Sequence, residues 1–148
     1  MEKEVVISIK GIQEYENAPR DTMELVTQGR LRMDEGGCTL SYQESEVTGL
    51  EGTLTTFQIE PERVTLMRVG EFNSQMVFQE GRRHLSMYQT PYGSMAVGVN
   101  TRHLLAELDE NGGEIEIDYA IEIDHAIAGR NIFQIQVKQA QEGGSLKQ

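Results

Sequence analysis

One pattern recurs through most of this chain. Apolar and polar residues alternate one by one in short runs, and Gly, Pro, Asn and Asp separate the runs. The clearest case sets Ile115, Ile117, Tyr119, Ile121 and Ile123 against Glu116, Asp118, Ala120, Glu122 and Asp124. Successive side chains of a strand point to opposite faces, so this period reads as a strand with one face in a core and one in water. The same alternation puts Val5, Ile7 and Ile9 on one face of Val5–Gln13, and Met23, Leu25, Thr27, Gly29, Leu31 and Met33 on one face of Thr22–Met33. It groups Cys38, Leu40, Tyr42 and Glu44 in Cys38–Val47, and Val64, Leu66 and Arg68 in Arg63–Val69. Phe72, Ser74, Met76 and Phe78 share a face of Phe72–Gln79, and Asn131, Phe133, Ile135 and Val137 share one of Arg130–Gln139. Thr53–Glu60, His84–Thr90 and Ser94–Asn100 complete the set.

The breaks between runs are turn chemistry: Asp34-Glu-Gly-Gly37, Glu60-Pro-Glu62, Glu80-Gly-Arg82 and Asp109-Glu-Asn-Gly-Gly113. In Tyr88-Gln-Thr-Pro-Tyr-Gly93, Pro91 suits the second position of a turn and Gly93 the fourth, which predicts type I. Thr101–Leu108 reads two ways, as a continued strand or as one or two helical turns with Thr101 as N-cap. Turns spaced roughly 10–14 residues apart, with no helix of any length, predict an all-β sandwich or barrel. Short connections favour antiparallel neighbours, and closure removes exposed edges. The expected fold is therefore a single antiparallel, mostly up-and-down β-barrel of about 8–10 strands, with a sandwich as the alternative. It would occupy residues 1–140, followed by a frayed tail at 141–148 containing Gly143-Gly-Ser145.

Composition sets limits on function. A chain of 148 residues is enough for one core, at 38 % hydrophobic content and without tryptophan. Its net charge of −11 repels phosphate backbones and anionic bilayers, so neither nucleic acid nor membrane is an expected partner. The lone Cys38 makes no internal disulfide, which excludes a secreted disulfide scaffold, and it reads as a small buried hydrophobe. No signal peptide and no membrane-length apolar run is visible, so the cytoplasm is the expected compartment.

Chemistry-bearing residues are sparse. His84, His103 and His125 lack metal-ligand spacing, and the common nucleotide, metal and nucleophile motifs are absent, so no metal and no cofactor is expected. Asp109-x-Asn111-x-Gly113 suits a hairpin better than a calcium loop. The informative residues are polar ones in the inward phase: Glu44, Arg68, Ser74, Thr101 and Tyr119. A buried charge needs a partner and hydrogen bonds. Glu44 and Arg68 could supply each other, with Tyr42 and Tyr119 as hydrogen-bond partners. Three readings stand open: both charges reach the rim, they form a structural pair fixing strand register, or they mark the polar end of a ligand cavity.

Gly11-Ile-Gln13, Tyr42-Gln-Glu44, Arg68-Val-Gly70, Phe78-Gln-Glu-Gly81 and Tyr88-Gln-Thr-Pro-Tyr-Gly93 together resemble the YwiB-like family of small uncharacterised bacterial proteins, over about Lys3 to Val137. The resemblance implies a calycin-like barrel, the broad architecture of lipocalins. It implies no activity and no site residues.

The leading function is a protein binding a small, partly apolar ligand in the barrel, with Tyr42, Glu44, Arg68, Tyr88 and Tyr92 near its polar end. The alternative is a non-catalytic interaction module acting as a homodimer, with Thr53–Ile59 offered as an exposed apolar face. A third class is a small enzyme using Glu44 as acid or base.

Overall fold

The computed structural model describes residues 2–15, 18–71, 73–90, 93–123 and 126–140, the side chains of 88–90 excepted. Ten strands follow one another: β1 (Glu2–Glu14), β2 (Asp21–Asp34), β3 (Gly37–Gln43), β4 (Thr53–Glu60), β5 (Arg63–Gly70), β6 (Ser74–Phe78), β7 (Arg83–Thr90), β8 (Gly93–Asp109), β9 (Gly112–Ile123) and β10 (Ala126–Gln139). Each pairs antiparallel with its sequence neighbours, and β1 pairs with β10, so the sheet closes on itself. Closure decides against the sandwich. It leaves no strand edge along the ring, the general benefit of a barrel.

The alternation works as read. Val5, Ile7, Leu31, Leu40, Phe57, Val64, Leu66, Phe78, Val99, Ile115, Ile117, Ile135 and Val137 meet inside, each at most 3 % exposed. Cys38 joins them at 4 %. Most charged side chains among the described residues stand outside, Glu44 and Arg68 excepted, the reverse of the apolar-out pattern by which strands face lipid. No helix among the described residues is long and apolar enough to cross a membrane.

Up-and-down order sorts the connections to two ends. Tight reversals at 35–36, 61–62, 79–82 and 110–111 gather at one, the turn end. At Gly113 (φ +146°) an added Cβ would lie 1.9 Å from the Glu107 carbonyl oxygen, so only glycine fits this hairpin. The strand ends at 14 and 21, 43 and 53, 70 and 74, 90 and 93, and 123 and 126 gather at the other, the loop end.

Several expectations change. The ambiguous Thr101–Leu108 segment is strand throughout, and β8 runs to Asp109. A bulge between Thr101 and His103 inserts one residue, so the inward phase passes from Thr101 to Leu104, Ala106 and Leu108. That shift mimics a helical spacing, which is why both readings fitted. β3 ends at Gln43 rather than Val47, although the Glu44 N–H still donates to the Thr53 carbonyl at 2.9 Å. The inner face of β4 is Thr53, Thr55, Phe57 and Ile59, all buried, so Thr53–Ile59 is not an exposed apolar face. Met95 and Ile123, read as inward, are 40 % and 38 % exposed where their strands reach the loop end. Thr90 pairs with Gly93, joining β7 to β8, but the predicted turn type lies outside the described residues, as do Phe72, the pair 124–125 and the tail at 141–148.

Candidate functional site

The lumen is divided along its length. Its turn-end half is aliphatic and aromatic. Nearer the loop end, polar residues recur in the inward phase. Register aligns Tyr42, Thr55, Arg68, Ser74 and Tyr88 across β3 to β7. It aligns Thr101, Tyr119, Asn131, Gln13 and Asp21 across β8, β9, β10, β1 and β2. Strand tilt in a closed barrel staggers the two arcs along the axis.

The first arc is built around Glu44. Its side chain is 1 % exposed, so it does not reach the rim. Thr48 Oγ1 donates to Oε1 at 2.8 Å, and Thr55 Oγ1 donates to Oε2. Arg68 Nε stands 3.8 Å from Oε2, with the Arg68 side chain 20 % exposed. Glu44 and Arg68 therefore meet, although β4 lies between their strands. Burial, then the Glu44 charge and a hydrogen bond to it, push the Tyr42 hydroxyl far above the usual phenol range, so it is a neutral donor. An acid–base catalyst needs an oxygen open to substrate, whereas both Glu44 oxygens are already engaged.

Tyr119 does not join this cluster. It lies across the second arc, where Asn131 Nδ2 donates to its hydroxyl at 3.2 Å. Its ring packs between Phe78 and Phe133, at centroid distances of 4.7 and 6.0 Å. A pocket of about 260 Å³ opens beside it at the loop end, lined by Gly11, Gln13, Asp21, Met23, Tyr119, Asn131 and Phe133, with Ile12 and Ile132 at its edge. Gly11 keeps this space open: a Cβ there would come to 3.8 Å from both Met23 Cε and Phe133 Cε1.

Four buried side-chain atoms among the described residues have no hydrogen-bond partner: Arg68 Nε, Ser86 Oγ, Thr101 Oγ1 and Asn131 Oδ1. Arg68, Thr101 and Asn131 belong to the two polar arcs, whereas Ser86 pairs with Val97, two residues from Tyr88 towards the turn end. Native interiors pair nearly all such groups, so an orphan asks for an explanation.

Of the sequence-predicted residues, the structure brings together Tyr42, Glu44 and Arg68. Tyr88 follows them in the same arc by its backbone, while its side chain and all of Tyr92 lie outside the described residues. Sequence reasoning passed over Thr55, Ser86 and Asn131. Asn131 had a visible signal, a polar side chain heading the Phe133, Ile135, Val137 face.

These features define a class: a closed, ten-stranded antiparallel barrel with an apolar half and a polar-lined half. Residues 7–135 match the family described as "Domain of unknown function (DUF1934)", and the chain belongs to that family. It is similar to the "Uncharacterized beta-barrel protein YwiB" of Bacillus subtilis (strain 168), with 23 % identity over 122 residues, 82 % of this chain and 84 % of that protein. The crystal structure of the ywiB protein from Bacillus subtilis superposes with a TM-score of 0.83 at 21 % identity, covering 95 % of this chain and 94 % of that one. The YwiB-like resemblance in the sequence is thus upheld, and the structural likeness carries the fold alone.

Proposed function

We propose that this protein binds a small, partly apolar molecule in the polar half of its barrel. The observation that carries the reading is the set of unpartnered buried atoms among the described residues, three of which, Arg68 Nε, Thr101 Oγ1 and Asn131 Oδ1, belong to the two polar arcs. A buried donor or acceptor left unpaired costs about 1–3 kcal/mol, so these groups are matched when something polar enters beside them. Barrel mouths are a usual place for such sites. Glu44 stands beside Arg68, 3.8 Å from Nε, and the Arg68 Nε–H has no hydrogen-bond partner. Tyr88, a residue of β7, and Tyr92, between β7 and β8 in sequence, belong to the proposal as residues predicted from the sequence. Native mass spectrometry of protein purified from its own cells tests it. The expected result is a small-molecule adduct that is lost on denaturation. A clean apo mass, together with a crystal structure in which ordered waters satisfy all four atoms, would overturn it.

A second reading, a homodimer, is favoured by the outer wall of β4 to β8. Leu54, Val69, Leu85 and Met87 are 39–67 % exposed there. No outward position is charged from Leu54 to Gln58, Thr65 to Val69, Gln75 to Val77, Leu85 to Met87 or Ala96 to Gly98. On β9, by contrast, Glu114, Glu116, Asp118 and Glu122 face outward. In a chain of net charge −11, the neutral wall is where a second copy can approach without bringing carboxylates together. Sedimentation velocity should show a dimer that Met87→Glu dissociates, and a wild-type monomer at tens of micromolar sinks the idea.

A further inference from the structure

We infer that the pocket between Gly11, Asp21, Met23, Tyr119, Asn131 and Phe133 is a site for a small organic ammonium, a protonated amine carried on an apolar body. The inference rests on the ligand-binding reading above and adds the chemistry of the ligand.

Three features of the pocket point the same way. The first is its free polar atom. Asn131 is 7 % exposed, and its amide N–H donates to the Tyr119 hydroxyl. That leaves the Oδ1 acceptor unpartnered in the pocket lining. An acceptor is satisfied by a ligand that brings a donor. The second is charge. Asp21 supplies a carboxylate at the mouth, and no Lys, Arg or His lines the pocket among the described residues. The neighbouring cations are already taken: Arg20 is held by Glu14, and Arg130 by Asp118 at 2.6 Å. The third is the aromatic wall. The Tyr119 and Phe133 rings stand 6.0 Å apart, and an ammonium over such faces is attracted by their quadrupoles.

The rest of the lining suits an apolar body. Met23 is an adaptable side chain, and the missing side chain at Gly11 leaves its volume to the ligand. At about 260 Å³ the space lies below the range usual for drug-sized molecules, so the body is a single ring or a short alkyl chain. A carboxylate ligand would meet Asp21 and the Asn131 carbonyl oxygen with no compensating cation. The Arg68 end of the lumen would suit such an anion better, which makes the two ends separable by experiment.

The test titrates the full chain with three matched probes: 2-phenylethylammonium, 2-phenylethanol and 3-phenylpropionate. Binding is followed by amide chemical shifts and calorimetry. The ammonium should saturate and shift the amides of Gly11, Asn131 and Phe133, with the alcohol about 10-fold weaker for want of the charge-assisted hydrogen bond. Asp21→Asn, an exposed change that spares the fold, should weaken the ammonium about 3-fold. Asn131→Leu should weaken it about 10-fold or more, and Gly11→Val should abolish it by filling the pocket. Tighter binding of 3-phenylpropionate, lost in Arg68→Met, would overturn the ammonium assignment and leave the ligand-binding reading standing. An adduct in native mass spectrometry that contains no basic nitrogen would do the same. Failure of all three probes with a clean apo mass would remove both.

Discussion

The two halves of the lumen follow opposite rules. In the turn-end half, residues such as Ile7, Leu66 and Ile117 are 0 % exposed and carry no polar atom that needs a partner. Its stability comes from close packing, and each methylene removed is felt. In the loop-end half, a carboxylate, a guanidinium, several hydroxyls and an amide share the interior, and Arg68 Nε, Thr101 Oγ1 and Asn131 Oδ1 stay without a hydrogen-bond partner. That half gives up stability where the other gains it. Under the ligand-binding reading proposed above, the contrast has a reason, because unmet polar groups persist where something else makes use of them.

The comparison can be broken first by removing bulk from the packed half. Phe78→Ala should destabilise by about 3–5 kcal/mol in chemical denaturation, since Phe78 is fully buried against Tyr119. A loss under about 1 kcal/mol would mean this half is not close-packed. Next comes the Glu44 carboxylate, the best-partnered group of the polar half among the described residues. Glu44→Gln should cost about 2–3 kcal/mol, because it leaves Arg68 without its counter-charge and misdirects the hydroxyls of Thr48 and Thr55. An unchanged midpoint would mean the pair contributes nothing to the fold.

The sharpest prediction has the opposite sign. Thr101→Val keeps the shape and removes an unpartnered buried hydroxyl, so it should stabilise the apo protein by about 1 kcal/mol. Destabilisation by that amount would show that Thr101 already has a partner.

The smallest effect is confined to alkaline pH. The folded state holds the Tyr42 proton more tightly than the unfolded chain does. Its contribution is complete below the unfolded phenol pKa of about 10 and is lost as pH rises from there towards the folded value. Wild type should therefore lose stability between about pH 10 and 11 faster than Tyr42→Phe, by at most about 1.4 kcal/mol per pH unit. Parallel curves would mean that the Tyr42 hydroxyl is neither buried nor beside the Glu44 carboxylate.

Much of this was legible in the residues. Ile115, Ile117 and Tyr119 alternate with Glu116 and Asp118, and that suffices to assign their faces, because strand geometry is local. Pro61 and Gly113 mark reversals for equally local reasons. Closure was an inference from short connections, and it held. The reading was weakest where local rules have two solutions. Thr101, Leu104, Leu105 and Leu108 fit a helical stripe as well as a bulged strand, and the bulge is set by pairing with β9, which no local pattern shows.

The site divides the same way. That Tyr42, Glu44 and Arg68 face inward follows from their own strands. That Glu44 and Arg68 touch depends on β4 running between β3 and β5 in a particular register, and that Tyr119 turns to Asn131 depends on β9 lying beside β10. Asn131 looked like one polar residue at the head of an apolar face, because its meaning lies in what stands opposite. A single chain position carries its own phase, burial preference and turn chemistry. Which positions converge across a lumen is decided by shear and closure, which sum the register of all ten strands.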